Sequence, residues 1–153
     1  MKKLVFDNKV CTGCRACEAV CSFAHCDGEC NPQKARIRVT HEFLHGVSKP
    51  AVCRQCEKPK CVGSCPENAI RQDPALKIPV IDPVKCNLCL ACLEGCPFGA
   101  IFYNDQEKIP LTCDLCGGDP VCVKVCRHYP HQTHAALGYL DPKEWLKIIH
   151  PPA

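Results

Sequence analysis

Sixteen of the chain's eighteen cysteines fall into four spaced groups of four. Cys86, Cys89, Cys92 and Cys96, with Pro97 behind them, read C-x2-C-x2-C-x3-C-P. Three thiolates two residues apart wrap a tight loop around one site. This run is the ligand pattern of a [4Fe–4S] cluster whose fourth cysteine serves a different cluster. Such a segment is incomplete alone and needs partners elsewhere in the chain.

The other groups supply them. Cys11, Cys14, Cys17 and Cys21 repeat the x2-x2-x3 spacing, with Ser22 in the proline position. Cys53, Cys56, Cys61 and Cys65 widen the middle gap to x4 and keep Pro66. Cys113, Cys116, Cys122 and Cys126 widen it to x5, with Arg127 after the last cysteine. A structural zinc ion prefers two C-x2-C knuckles or a mixed Cys/His set. The second and fourth groups alone fit that description, which leaves a zinc-organised interaction module as the rival from another class. Four groups together, two of them ending in Cys-Pro, point to clusters.

Composition agrees. Cysteine makes up about 12 per cent of the 153 residues, a diagnostic level. Five Phe, three Tyr, one Trp and one Met cannot build a large core, so disulfides, metals or oligomerisation must offset part of the ordering entropy. The start, MKKLVFDNKV, lacks the apolar stretch of a signal peptide, and no apolar run is long enough to span a membrane. The expectation is a cytoplasmic chain, where reduced thiols bind metal more often than they form disulfides. The formal charge of +3 invites a nucleic-acid reading. Cluster binding would ionise the thiols and carry the net charge to about −5, so no nucleic-acid partner is expected.

Short elements must position these groups. Lys2–Asp7 reads as a strand, and Ala35–Phe43 alternates apolar and polar residues as a half-buried strand does. Residues 69–82, AIRQDPALKIPVID, read as two short strands turning at Asp73-Pro74. CPENAI (Cys65–Ile70) and CPFGAI (Cys96–Ile101) match, as do PAVCRQC and PLTCDLC (residues 50–56 and 110–116). A two-motif unit therefore occurs twice, over residues 10–70 and 85–130. In the tail, Asp141 and Pro142 are an N-cap and first-turn pair for a helix Pro142–Ile149, with Trp145, Ile148 and Ile149 on one face.

The order of motifs, with the third-cysteine gap widened in the second and fourth, resembles the four-cluster polyferredoxin subunits of molybdenum and tungsten oxidoreductases, hydrogenase complexes and carbon monoxide dehydrogenases. CTGCRACEAVCSFAH and the NPQKARIRV after it are most similar to the small subunits accompanying tungsten aldehyde oxidoreductases. The resemblance implies an α+β fold of two ferredoxin-like dicluster lobes in residues 1–130, with residues 131–153 as a tail. It implies four [4Fe–4S] clusters held by exchanged ligands. Cys11, Cys14 and Cys17 would share one with Cys126, and Cys113, Cys116 and Cys122 one with Cys21, forming an outer lobe. Cys53, Cys56 and Cys61 would share one with Cys96, and Cys86, Cys89 and Cys92 one with Cys65, forming an inner lobe. This would place Cys86–Pro97 at the middle of a wire.

The implied function is single-electron transfer, without catalysis of its own, between a tungsten-pterin aldehyde oxidoreductase and another carrier, with a flavin or nicotinamide subunit as a further partner. A hydrogenase, formate or carbon monoxide dehydrogenase complex is the alternative setting. Self-association would lengthen the wire.

Several residues remain. Cys26 and Cys30 read either as a fifth metal site with His25 or, more simply, as free thiols near a cluster. Lys34, Arg36 and Arg38 read as a docking patch or as the solvated face of a strand. His128, His131, His134 and His150 suggest a surface or interface tail, and Gly117-Gly118 a turn. No hydroxyl nucleophile with a base, paired-carboxylate set or phosphate loop is present in the sequence.

Overall fold

The computed structural model describes residues 1–42, 44–126 and 132–151. The fold is α+β, built from short elements. Strand β1 (Lys3–Phe6) leads into helix α1 (Ala16–His25), which carries the second half of the first cysteine motif. A 3-10 turn at Pro32–Lys34 precedes the hairpin β2 (Arg38–Glu42) and β3 (Val47–Ala51). Helix α2 (Lys60–Gly63), hairpin β4 (Ile70–Gln72) and β5 (Pro79–Ile81), and helix α3 (Ala91–Glu94) come next. A 3-10 turn (Leu115–Gly118), α4 (Val121–Val125), β6 (Leu137–Leu140) and α5 (Pro142–Ile149) complete the chain.

The expected strands form with trimmed bounds. β2 begins at Arg38 because Ala35 caps the preceding 3-10 turn, although Ala35 and Ile37 are both buried. Its expected end at Phe43 lies outside the described residues. The turn after β4 is an Asx turn, with Asp73 Oδ1 accepting from the N–H groups of Ala75 and Leu76.

Pairing respects the motif order. β1 and β6 pair antiparallel, Leu4 opposite Tyr139, so the two ends of the chain close on each other. Helix α1 packs on α4, and α2 on α3. Two apolar centres result. One holds Leu4, Ile37, Val52, Leu115 and Leu137 with Cys17, Cys21, Cys113 and Cys122. The other holds Ile70 and Ile101 with Cys61 and Cys92. In both, thiols occupy core positions that a larger domain gives to Leu or Phe.

The tail helix begins as the sequence implies, with Asp141 accepting the N–H of Lys143 at 2.9 Å. Trp145 is its buried anchor, meeting His134 edge-on at 5.5 Å between ring centres. Ile148 is a correction: it is 43% exposed and does not share the buried face. The helix packs against the β1–β6 ribbon. Gly138 leaves room there, since a Cβ would stand 2.7 Å from Leu140 Cδ2 and 3.1 Å from Trp145.

Candidate metal centres

Each cysteine motif begins with the same backbone device. The second residue after the first cysteine is left-handed in all four: Gly13 (φ 70°), Gln55 (45°), Leu88 (61°) and Leu115 (55°). Three of these are not glycine, and a side chain in this region carries strain that persists where surroundings fix it. The conformation turns the N–H groups of Gly13, Gln55 and Leu115 toward the sulfurs of Cys11, Cys53 and Cys113. Successive inward N–H groups make an anion-binding concavity. Gly13 has an added reason to be glycine, because a Cβ would sit 2.2 Å from the His41 ring.

The remote cysteines are held by a second device. After Cys65 and Cys96 the chain turns through Asn68 (φ 49°) and Gly99 (φ 55°). The N–H groups of Ala69 and Ala100 then donate to the sulfurs of Cys65 and Cys96 at 3.3 and 3.4 Å. The matched CPENAI and CPFGAI segments thus encode one geometry.

The thiols gather across motifs. Cys11, Cys14, Cys17 and Cys126 line a cavity of about 400 Å³. Cys53, Cys56, Cys61 and Cys96 line a second, and Cys65, Cys86, Cys89 and Cys92 a third. Cys122 has Cys21 and Cys116 as its electrostatic neighbours, and Cys113 has Cys53, Cys122 and Cys21. Neighbours that cross between groups run in one order. Cys17 feels Cys122, Cys113 feels Cys53, and Cys92 feels Cys61. Cys86–Pro97 therefore does not lie mid-wire as expected: Cys86, Cys89 and Cys92 stand in a terminal group and only Cys96 in the next one.

The donor chemistry fits a cluster. Burial pushes the Cys17 and Cys122 thiols up to about 12, Cys53 and Cys92 to about 11, and Cys113 well above its ordinary value. Thiols so disposed ionise only against a bound cation, which a cluster core supplies. A single tetrahedral zinc ion would draw its sulfurs to about 3.8 Å from one another. Among the described residues the set of three ligand atoms within 4.8 Å of one another is His25, Asp114 and Cys116, and no three thiols approach that closely. All eighteen cysteines are free of disulfides.

Ser22 changes the course of the chain after Cys21. No proline ends α1 there, so the helix continues to His25, and Ser22 Oγ donates back to Ala19 O. The His25 ring lies between the Cys21 carbonyl (Nδ1, 2.7 Å) and the Asp114 carboxylate (Nε2, 3.0 Å). Arg36 reaches the same carboxylate at 2.8 Å, and its backbone N–H donates to Cys21 Sγ at 3.3 Å. Sequence reasoning misses this convergence, because Asp114 lies 89 residues from His25. Cys26 is half-buried at the end of α1 and Cys30 is exposed. Lys34 pairs with Glu29 and Glu107, and Arg38 stacks on Phe102. These cations are partnered, which leaves little of the expected docking patch. Of the tail histidines, His134 pairs with Asp7 and His150 is exposed; His128, His131 and Arg127 lie outside the described residues.

Comparison with known proteins agrees with this geometry. Residues 44–133 match the family described as a 4Fe-4S dicluster domain. The chain belongs to this family. It is 39% identical over 123 residues to the polyferredoxin-like subunit of an aliphatic sulfonate oxidoreductase from Pyrococcus furiosus, covering 80% of this chain and 70% of that protein. It is 32% identical over 152 residues to the beta subunit of an NADH-dependent phenylglyoxylate dehydrogenase from Aromatoleum evansii, covering 97% of this chain but only 34% of that longer protein. Among solved structures it matches the active-site complex BamBC of benzoyl coenzyme A reductase with a TM-score of 0.52 and 25% identity, over 97% of this chain and 86% of that one. The protein is an iron–sulfur electron-transfer subunit of an oxidoreductase complex. Among the described residues no helix is long and apolar enough to cross a membrane.

Proposed function

We propose that the chain holds four [4Fe–4S] clusters and relays single electrons between a catalytic subunit and a second carrier, with no reaction of its own. What supports this reading is that three cavities are each lined by four cysteines drawn from two motifs, and that Cys21 of the first motif neighbours Cys113 and Cys122 of the fourth. Cys11, Cys14, Cys17 and Cys126 would hold the first cluster, and Cys21, Cys113, Cys116 and Cys122 the second. Cys53, Cys56, Cys61 and Cys96 would hold the third, and Cys65, Cys86, Cys89 and Cys92 the fourth. On this reading residues 1–130 form the two dicluster lobes. Bound clusters supply one-electron capacity at potentials that the surroundings tune.

The chain's own residues supply insulation and order. Leu4, Ile37, Val52 and Leu115 exclude water from the interior. The left-handed N–H groups of Gly13, Gln55 and Leu115 would hold the first thiolates of three motifs in place. Cys14 in the first group and Cys89 in the fourth are exposed, whereas every cysteine of the two middle groups is buried or half-buried. Electrons would therefore enter at one end and leave at the other.

The partner we favour is a tungsten-pterin aldehyde oxidoreductase, on the resemblance of residues 11–25 and 31–39, with a flavin or nicotinamide subunit as the second partner and the cytoplasm as the compartment. Hydrogenase, formate or carbon monoxide dehydrogenase complexes use the same relay chemistry, and the relatives' names show how widely the catalytic subunit varies. Anaerobic purification from the source cells tests the reading. About sixteen iron atoms per chain and a co-purifying tungsten subunit are expected. A colourless chain carrying zinc would refute it.

A further inference from the structure

The four cysteine groups are near-repeats, so a difference in what touches their sulfurs is informative. Four residues after the remote cysteine, the inner motifs present a backbone N–H, from Ala69 to Cys65 and from Ala100 to Cys96. The same place after Cys21 is His25. Its ring points to Asp114, and its Nδ1 lies 3.9 Å from Cys21 Sγ. The sulfur's N–H donor comes instead from Arg36, fifteen residues on. Asp114 itself stands directly after Cys113, and its Oδ1 accepts the Cys116 N–H at 2.9 Å. One carboxylate thus bonds the backbone of Cys116 beside Cys113, and the guanidinium paired with it belongs to the residue whose backbone N–H meets the Cys21 sulfur. The described residues place no ion pair in this position beside the other three groups.

We propose that Arg36 and Asp114 are positioning residues that set the reduction potential of the Cys21–Cys113–Cys116–Cys122 site, in opposite directions. The inference rests on the four-cluster reading. Adding an electron makes a thiolate-bound cluster more negative, so a neighbouring cation favours the reduced state and a neighbouring anion disfavours it. Arg36 is half-buried, with its side chain 26% exposed, so water screens its guanidinium incompletely. Its backbone N–H to Cys21 acts in the same direction as its guanidinium. Asp114 opposes both while fixing the turn that carries Cys116. The pair lets this site differ from its neighbours in potential without changing a ligand, which gives the relay a step at its second position.

The test is a spectroelectrochemical titration of the anaerobically purified, cluster-loaded full chain, monitored by electron paramagnetic resonance. Arg36→Gln is expected to lower one of the four midpoints, and Asp114→Asn to raise that same midpoint. Arg36→Lys keeps the charge and should return it most of the way to the wild-type value. The inference is overturned if neither variant moves a midpoint or if both move it the same way. It is also overturned if Arg36→Gln loses the cluster and Arg36→Lys does too, which would mark a structural role only. A wild-type iron count short of four clusters would instead defeat the reading beneath it.

Discussion

Gln55 accepts the backbone N–H of Leu4 at 2.8 Å, joining the second cysteine motif to the first strand across 51 residues. The same side chain donates to Cys53 O at 2.8 Å and is fully buried. Its own backbone is left-handed and points an N–H at the Cys53 sulfur. One residue therefore shapes a ligand loop and ties it to the β1–β6 ribbon. Replacing Gln55 by Ala would leave the Leu4 N–H and the Cys53 carbonyl unpaired inside the protein, which costs about 1–3 kcal/mol. Thermal unfolding of the loaded protein at a fixed scan rate should fall by about 2–12 °C. An unchanged midpoint would mean that the buried N–H finds another partner.

Gln55 also marks the limit of what the sequence discloses. The cysteine groups are legible because cluster chemistry fixes both residue type and spacing. The strand near Lys3–Phe6, the Asp73 turn and helix Pro142–Ile149 are legible because alternation and capping are local signals. Nothing local marks Gln55, Glu18 or Asp114. Glu18 is buried in α1, where its carboxylate accepts the Val39 N–H, and a Glu in a helix ordinarily faces water. Tertiary contact decides these three. The one sign in the sequence is indirect: Ser22 in place of proline allows α1 to run on to His25.

The contact between α2 and α3 gives a second test. Gly95 closes α3, and a Cβ there would stand 2.3 Å from Ser64 Oγ and 2.7 Å from Ser64 Cβ. Gly95→Ala is expected to cost about 1–3 kcal/mol by overpacking. Ser64→Gly in the same chain should recover part of that loss, whereas Ser64→Ala keeps the nearer carbon and should recover less. Thermal midpoints of the three variants check this. Additive losses would show that the two helices separate freely at this point.

Stability should depend on pH through His25 and Asp114. The Asp114 carboxylate, then the Cys21 side chain, raise His25 from 6.5 to about 10. A folded value above the unfolded one means that the stabilisation is complete below about 6.5 and is lost as the pH rises through about 10. Burial works against ionised Asp114, but its bonds from His25 and the Cys116 N–H, with Arg36 beside it, hold it down at about 2. Its contribution is present above about 3.8 and disappears as the pH falls through about 2. The thermal midpoint of the wild type should therefore decline between pH 6.5 and 10 more steeply than that of His25→Gln. Parallel curves for the two proteins would show that the imidazolium is not held.

The proposed exchange of ligands makes the most direct prediction about the relay. Cys21 belongs to the first motif by sequence, yet it is an electrostatic neighbour of Cys113 and Cys122, and the Arg36 N–H meets its sulfur on that side. Cys126 belongs to the fourth motif, yet it lines the cavity of Cys11, Cys14 and Cys17. Cys21→Ala should therefore damage the cluster of Cys113, Cys116 and Cys122 and spare that of the first motif. Cys126→Ala should do the reverse. Iron content of the loaded variants should drop by one to four atoms from about sixteen, and the two variants should lose different paramagnetic signals. If Cys21→Ala instead removes the signal that Cys11→Ala also removes, each motif keeps its own fourth ligand, and the crossed pairing of the outer segments is wrong.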